Sequence, residues 1–170
     1  MCLHASGTLS VMQSSPPIRV LLAAQHRLLL RGLRSVLADP TQFTIVGAVQ
    51  TADALPPQVA AMPFDVLVID PADLGGLALL ARLVAAYPRR VLVFAGLLDL
   101  RADLLGVGAR GYVCQQEPPE ELLTGIRRVA RRQVYRSPIA EECWQYYLAH
   151  GPRGMTPRQA QALGKERGDG

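Results

Sequence analysis

The chain has 170 residues, a hydrophobic share of 49% and a formal charge of +4 at pH 7. That length sets one domain with extensions, and aromatics at 5% leave its core aliphatic, built from Leu, Val, Ile and Ala. A small basic surplus is a weak argument for a nucleic-acid partner, no apolar stretch approaches the roughly 18 residues of a membrane span, and no basic-then-apolar secretory pattern opens the chain.

Residues 1–17 read as a flexible leader, Ser- and Gly-containing and ending in Pro16-Pro17. Ile18 to Ala23 is the first strand, and Arg27 to Ala38 a helix on which Leu29, Leu30, Leu33, Val36 and Leu37 recur at helical spacing. Asp39-Pro40 breaks it, and Phe43 to Val49 forms the second strand. Thr51 to Met62 is a weak helix opened by Asp53, with Pro56-Pro57 in its first turn.

Phe64 to Ile69 is the most apolar strand, as suits a central position covered on both faces. A helix from Leu77 to Tyr87 is stopped by Pro88, and Val91 to Phe94 is strand four. Leu98 to Val107 is a short helix ending at Gly108, a left-handed cap. Gly111 to Cys114 is strand five. The last helix runs from Pro118-Pro119 through Gln133, with Glu120 and Glu121 at its start and Arg127, Arg128, Arg131 and Arg132 on one flank toward its end, as the helix dipole favours.

Five repeats of strand and helix predict an α/β fold, a doubly wound five-stranded parallel sheet. Right-handed crossovers favour the flavodoxin-like order 2-1-3-4-5. Asp70 then stands at the carboxyl end of the third strand, the sheet edge where ligands bind in such folds. Cys2, Cys114 and Cys143 are odd in number and widely spaced, so they read as free thiols in a reducing cytoplasm, with neither a disulfide framework nor a zinc site. Residues 139–154 read as a linker with a short helix through Trp144 and Tyr147.

Four segments carry a resemblance. They are Ile18 to Ala23 with His26 and Leu30-Arg31-Gly32-Leu33; Phe64 to Asp70; Gly108-Ala109-Arg110-Gly111-Tyr112-Val113; and Pro119-Glu120-Glu121-Leu122 through Val134-Tyr135-Arg136-Ser137-Pro138. In that order, residues 18–138 resemble the CheY-like receiver domain of a two-component response regulator of the NarL/FixJ subfamily. Met155 to Leu163 resembles the opening of the LuxR-type helix-turn-helix output domain. Residues 155–170 leave no room for a second helix and its scaffold, so they read as a remnant of that domain, and DNA binding by this chain alone is not expected.

The resemblance implies phosphoryl transfer onto an aspartate, with the metal held by that aspartate and two acids after the first strand. A Thr or Ser after strand four and a Lys after strand five would bind the phosphoryl oxygens. Here Asp70 matches the acceptor, while the other positions hold Ala24, Gln25, Ala95 and Gln115. One carboxylate is a poor magnesium site, so no cofactor is expected. Replacing the lysine by Gln115 removes a charge-assisted bond of roughly 1.5–3 kcal/mol. Asp70 reads as a vestigial acceptor or, more plainly, as a strand-end carboxylate capping its own turn beside Pro71 and Asp73.

The expected function is a degenerate receiver in signal transduction that acts through protein contacts and is not an enzyme. The alternative is a phosphorelay regulator of transcription phosphorylated on Asp70. The resemblance implies a histidine kinase or other signalling protein as partner. It also implies a homodimer through the fourth helix, fifth strand and last helix, on which the four arginines are the candidate contact. A flavodoxin-like nucleotide binder is disfavoured, since Ala23-Ala24-Gln25-His26 cannot wrap a phosphate and Gly75-Gly76 lies in no phosphate-loop pattern. His26 reads as a surface or helix-start residue.

Overall fold

A computed structural model describes residues 15–72 and 74–151. Most of the leader, Asp73, Cys2 and the helix-turn-helix remnant at 155–170 lie outside the described residues. Among the described residues there are six strands: β1 (Ile18–Ala23), β2 (Phe43–Val49), β3 (Val66–Ile69), β4 (Val91–Ala95), β5 (Gly111–Cys114) and β6 (Tyr135–Arg136). The helices are α1 (Arg27–Val36), α2 (Leu55–Ala61), α3 (Gly76–Ala86), α4 (Ala102–Leu105), α5 (Pro119–Ala130) and α6 (Pro138–His150).

The strands lie in the order β2-β1-β3-β4-β5-β6, every neighbouring pair parallel. The expected order 2-1-3-4-5 is therefore the core of the sheet. The expected count of five is corrected by β6, where Gly111 pairs with Tyr135 and Tyr112 with Arg136. Two residues are too few to show an alternation, which is why this strand left no period in the sequence.

Side chains alternate across each strand, and the sheet divides two cores. Leu21, Leu67, Ile69, Val93 and Cys114 point toward α2, α3, α4 and α6. Val20, Leu22, Val68, Leu92 and Val113 point toward α1 and α5. All four residues of β3 are buried. That is the double coverage its unbroken apolar run requires.

Several helices differ from expectation for local reasons. α2 starts at Leu55 with Ala54 at its N-cap, so Asp53 does not open it. Leu98 to Val107 is not one helix but a 3-10 turn, Leu97–Asp99, followed by the four-residue α4. Leu100 is 1% exposed and anchors the break, and Arg101 is extended there with ψ 165°. Gly108 is left-handed at φ 89°, but the helix has already ended at Leu105.

α5 ends at Ala130. The N–H of Gln133 reaches back to the Arg128 carbonyl at 2.9 Å, and Arg132 takes φ 63°. The helix is closed in the left-handed way that usually takes a glycine. The segment expected as a linker with a short helix through Trp144 and Tyr147 is mostly one helix of 13 residues, α6, with Ile139, Ala140, Cys143 and Tyr147 buried.

Candidate functional site

Asp70 directly follows β3, and its N–H still donates to the Ala23 carbonyl at 2.9 Å. The ladder thus fixes the backbone from which its half-buried side chain projects. Oδ1 accepts the Ala72 N–H at 3.1 Å, an Asx turn within its own loop. Oδ2 accepts from the Gln115 amide nitrogen at 3.0 Å. The same nitrogen donates to the Phe94 carbonyl at 2.9 Å. An amide nitrogen has two protons, so both donors of Gln115 are in use.

Gln115 is itself held by its N–H on the Ala95 carbonyl at 2.9 Å. Its side chain therefore ties together the carboxyl ends of β3, β4 and β5. The flanking positions add no charge. Ala24 and Ala95 are fully buried, the Ala24 N–H donating to the Val49 carbonyl at 3.0 Å. Gln25 is exposed, as is His26, which stands at the α1 N-cap without a side-chain capping bond. Gly75 and Gly76, at φ 79° and 59°, form the left-handed turn into α3. They serve chain direction.

The arrangement brings Asp70 and Gln115 together and leaves Gln25 apart. It offers one carboxylate, one amide and backbone groups, a neutral donor set apart from Asp70 itself. A hard divalent ion asks for several oxygen ligands in near-octahedral array, and these residues do not fit one. Among the described residues no group of three His, Cys, Asp or Glu side chains is gathered for a metal. A cavity of about 210 Å³ beside the Asp70 loop is lined by Pro71, Ala72, Asp99, Arg101 and Asp103 among others. Arg101 and Asp103 form an exposed ion pair at 3.6 Å.

Sequence reasoning missed the next stretch of the same loop. The Gln116 side-chain oxygen accepts the Leu97 N–H at 2.9 Å and lies 3.0 Å from the Cys114 sulfur. The Glu117 carboxylate accepts the Ile139 N–H at 2.8 Å and the Cys114 N–H at 3.3 Å. It satisfies one of the orphan donors in the first turn of α6. The fully buried Ser137 lends its Oγ to the Cys114 N–H at 3.1 Å. Arg136 stacks over Trp144 at 4.8 Å and pairs with Glu141 at 3.3 Å. A lone acid two residues after an expected site position gives no periodic signal, and the Ile139 N–H it caps lies 22 residues away.

Burial sets the titration of this corner. It pushes the Cys114 thiol up to about 12 and the Cys143 thiol to about 11. Tyr135 is also raised, first by desolvation and then by its bond to the Glu121 carboxylate. Tyr112, 1% exposed, accepts the Ala109 N–H on its hydroxyl at 2.9 Å.

The four arginines do not share one helix flank. Arg127 and Arg128 lie in the last turn of α5, whereas Arg131 caps it and Arg132 lies beyond. Arg127 bonds the Gln42 side chain at 2.6 Å and stacks 5.5 Å from the Phe43 ring, toward the start of β2. Arg128 bonds Gln133 at 3.2 Å, and the Arg132 carbonyl accepts from Arg110. On the opposite side, α6 packs against α4, β5 and β6. This chain's own α6 and β6 thus lie against the α4 and β5 part of the expected dimer face.

No family model matches the chain. The transcriptional regulatory protein MctR of Rhizobium johnstonii is 26% identical over 164 residues, covering 90% of this chain and 74% of that protein. The response regulator UvrY of Escherichia coli is 30% identical over 131 residues, covering 74% of this chain but 60% of UvrY. The chain therefore spans about three quarters of one curated relative and three fifths of the other. Among solved structures, a LuxR-family two-component response regulator from Aurantimonas sp. SI85-9A1 superimposes with a TM-score of 0.67. That match is 21% identical and covers 78% of this chain and 99% of the other.

Proposed function

From a chain that is homologous to response regulators, carries their receiver fold and fits the NarL/FixJ type, we propose a signal-transduction module whose Asp70 site is not a phosphoryl switch. The protein acts through protein–protein contacts and not as an enzyme. One observation carries this reading. The Asp70 carboxylate is already bonded on both oxygens, by the Ala72 N–H and the Gln115 amide, and the flanking Ala24 and Ala95 are fully buried.

Phosphoryl transfer onto a carboxylate depends on positive charge placed where charge builds on the transferred group. The Gln115 amide supplies a dipole in place of a cation. Alanine at 95 cannot bond an incoming phosphoryl oxygen, and Ala24 and Gln25 bring no anion to a metal. Magnesium therefore has no role in this reading. Residues 18–138 form the receiver-like unit, with α6 added to it.

A histidine kinase or another signalling protein remains the class of partner, and the setting is cytoplasmic. Among the described residues no helix is long and apolar enough to cross a membrane. DNA contact by this chain alone is not part of the proposal.

The test is intact mass after incubation with acetyl phosphate and magnesium. The expected result is an unmodified chain. An added phosphoryl group that is lost in Asp70→Asn would overturn the reading in favour of a phosphorelay regulator.

A further inference from the structure

The far edge of the sheet carries a second feature, remote from Asp70. Among the described residues β2 pairs with β1 alone, so its outer edge is an open edge of the sheet. Between that edge and α1 lies a cavity of about 450 Å³ lined by Arg27, Leu30, Arg31, Arg34, Ala48 and Gln50. Helical spacing stacks the three arginines along one wall, four and then three residues apart.

The charge there is uncompensated. α1 contains no acidic residue, and Arg27, Arg31 and Arg34 are exposed. Among the described residues none of the three makes an ion pair or a side-chain hydrogen bond. Other arginines of this fold are tied down: Arg19 to Asp65, Arg110 to the Arg132 carbonyl, Arg136 to Glu141. Guanidinium groups present forked donors matched to carboxylates.

We propose that this groove docks an extended acidic segment of a partner protein. The open edge of β2 offers unpaired backbone groups to an added chain, as in strand addition. Residues facing one side of an added strand recur every ~6.6 Å, and Arg27 and Arg31 are separated by a rise of about 6 Å along α1. Acids at alternate positions of the segment therefore meet successive arginines. Leu30 and Ala48 give the floor an apolar surface for the segment's other atoms. A nucleic acid would use the arginines but has no use for a strand edge, so the peptide is favoured.

The experiment is fluorescence anisotropy with a labelled peptide of alternating Glu and Val. The full chain is expected to bind it, and Arg27→Ala/Arg31→Ala/Arg34→Ala together should weaken binding by roughly tenfold or more. Arg131→Ala should change it less than about twofold, because that residue lies away from the groove. The matching Gln–Val peptide should not bind. Ala48→Pro, which removes an N–H from the edge strand, should also weaken binding, with circular dichroism confirming that the fold persists.

Equal binding by the triple variant, or no binding by the parent chain, would overturn the proposal. So would an oligothymidylate bound more tightly than the peptide. Asp70→Asn is expected to leave the peptide's affinity unchanged, which keeps this test separate from that of the Asp70 reading.

Discussion

Gln115 and Glu117 stand two residues apart in one loop and do opposite things. Gln115 meets Asp70 with a neutral amide at 3.0 Å, where a cation would be needed to steady a transferred phosphoryl group. Glu117 turns a full carboxylate on the backbone N–H groups of Ile139 and Cys114, anchoring α6 to the end of β5. The charged chemistry of this loop is thus directed at holding a helix, and the side chain it turns on Asp70 is neutral. Strong hydrogen bonds mark where a fold needs rigidity as readily as where it performs chemistry.

The comparison breaks first, if at all, at α6. Ile139 is 4% exposed, and Ile139→Ala is expected to cost about 2–5 kcal/mol in urea unfolding. The same substitution should speed reaction of Cys114 and Cys143 with a thiol reagent at mildly alkaline pH. Both thiols are buried and pushed up, to about 12 and about 11, so the parent chain should react slowly. An Ile139→Ala chain that is as stable and as slow to label would mean that α6 is only loosely applied.

Next comes the loop itself. Glu117→Ala removes the acceptor for two backbone donors and should cost about 1–2 kcal/mol. Gln115→Ala should cost less, about 0.5–1.5 kcal/mol, since Asp70 is half-exposed and water can replace the amide. A reversed order would place the structural weight on the Asp70 pocket instead.

The smallest effect is at the other end of β3. Arg19 bonds both oxygens of Asp65, at 3.2 and 3.0 Å, and the Arg19 side chain holds the Asp65 carboxyl below its ordinary value. A depressed carboxyl contributes stability that is complete above its unfolded value and is lost as the pH falls through its folded one. The parent chain should therefore lose urea resistance below about pH 4 more steeply than Asp65→Asn. The pair is partly exposed, so the difference is small. Identical acid profiles would show that the pair contributes nothing.

Much of this frame was legible in the residues. β1, β2 and β5 stand where apolar runs bounded by turn residues placed them, and in β5 and most of β1 burial leaves such runs little freedom. The fourth helix was not legible as it stands. Its leucines keep helical spacing, yet Leu100 is drawn into the core and the backbone extends at Arg101, a tertiary effect that overrides local pattern. β6 was too short to show a period. A short helix through Trp144 and Tyr147 was expected, but not the Glu117 contact across 22 residues that seats α6. The Asp70–Gln115 bond spans 45 residues and was approachable only through the family resemblance, which marked both positions.

Magnesium titration calorimetry on the parent chain and on Asp70→Asn tests the central claim most directly. A lone Asp70 carboxylate met by the Gln115 amide predicts no binding heat at micromolar metal and no difference between the two chains. Micromolar uptake by the parent that disappears in Asp70→Asn would contradict the account.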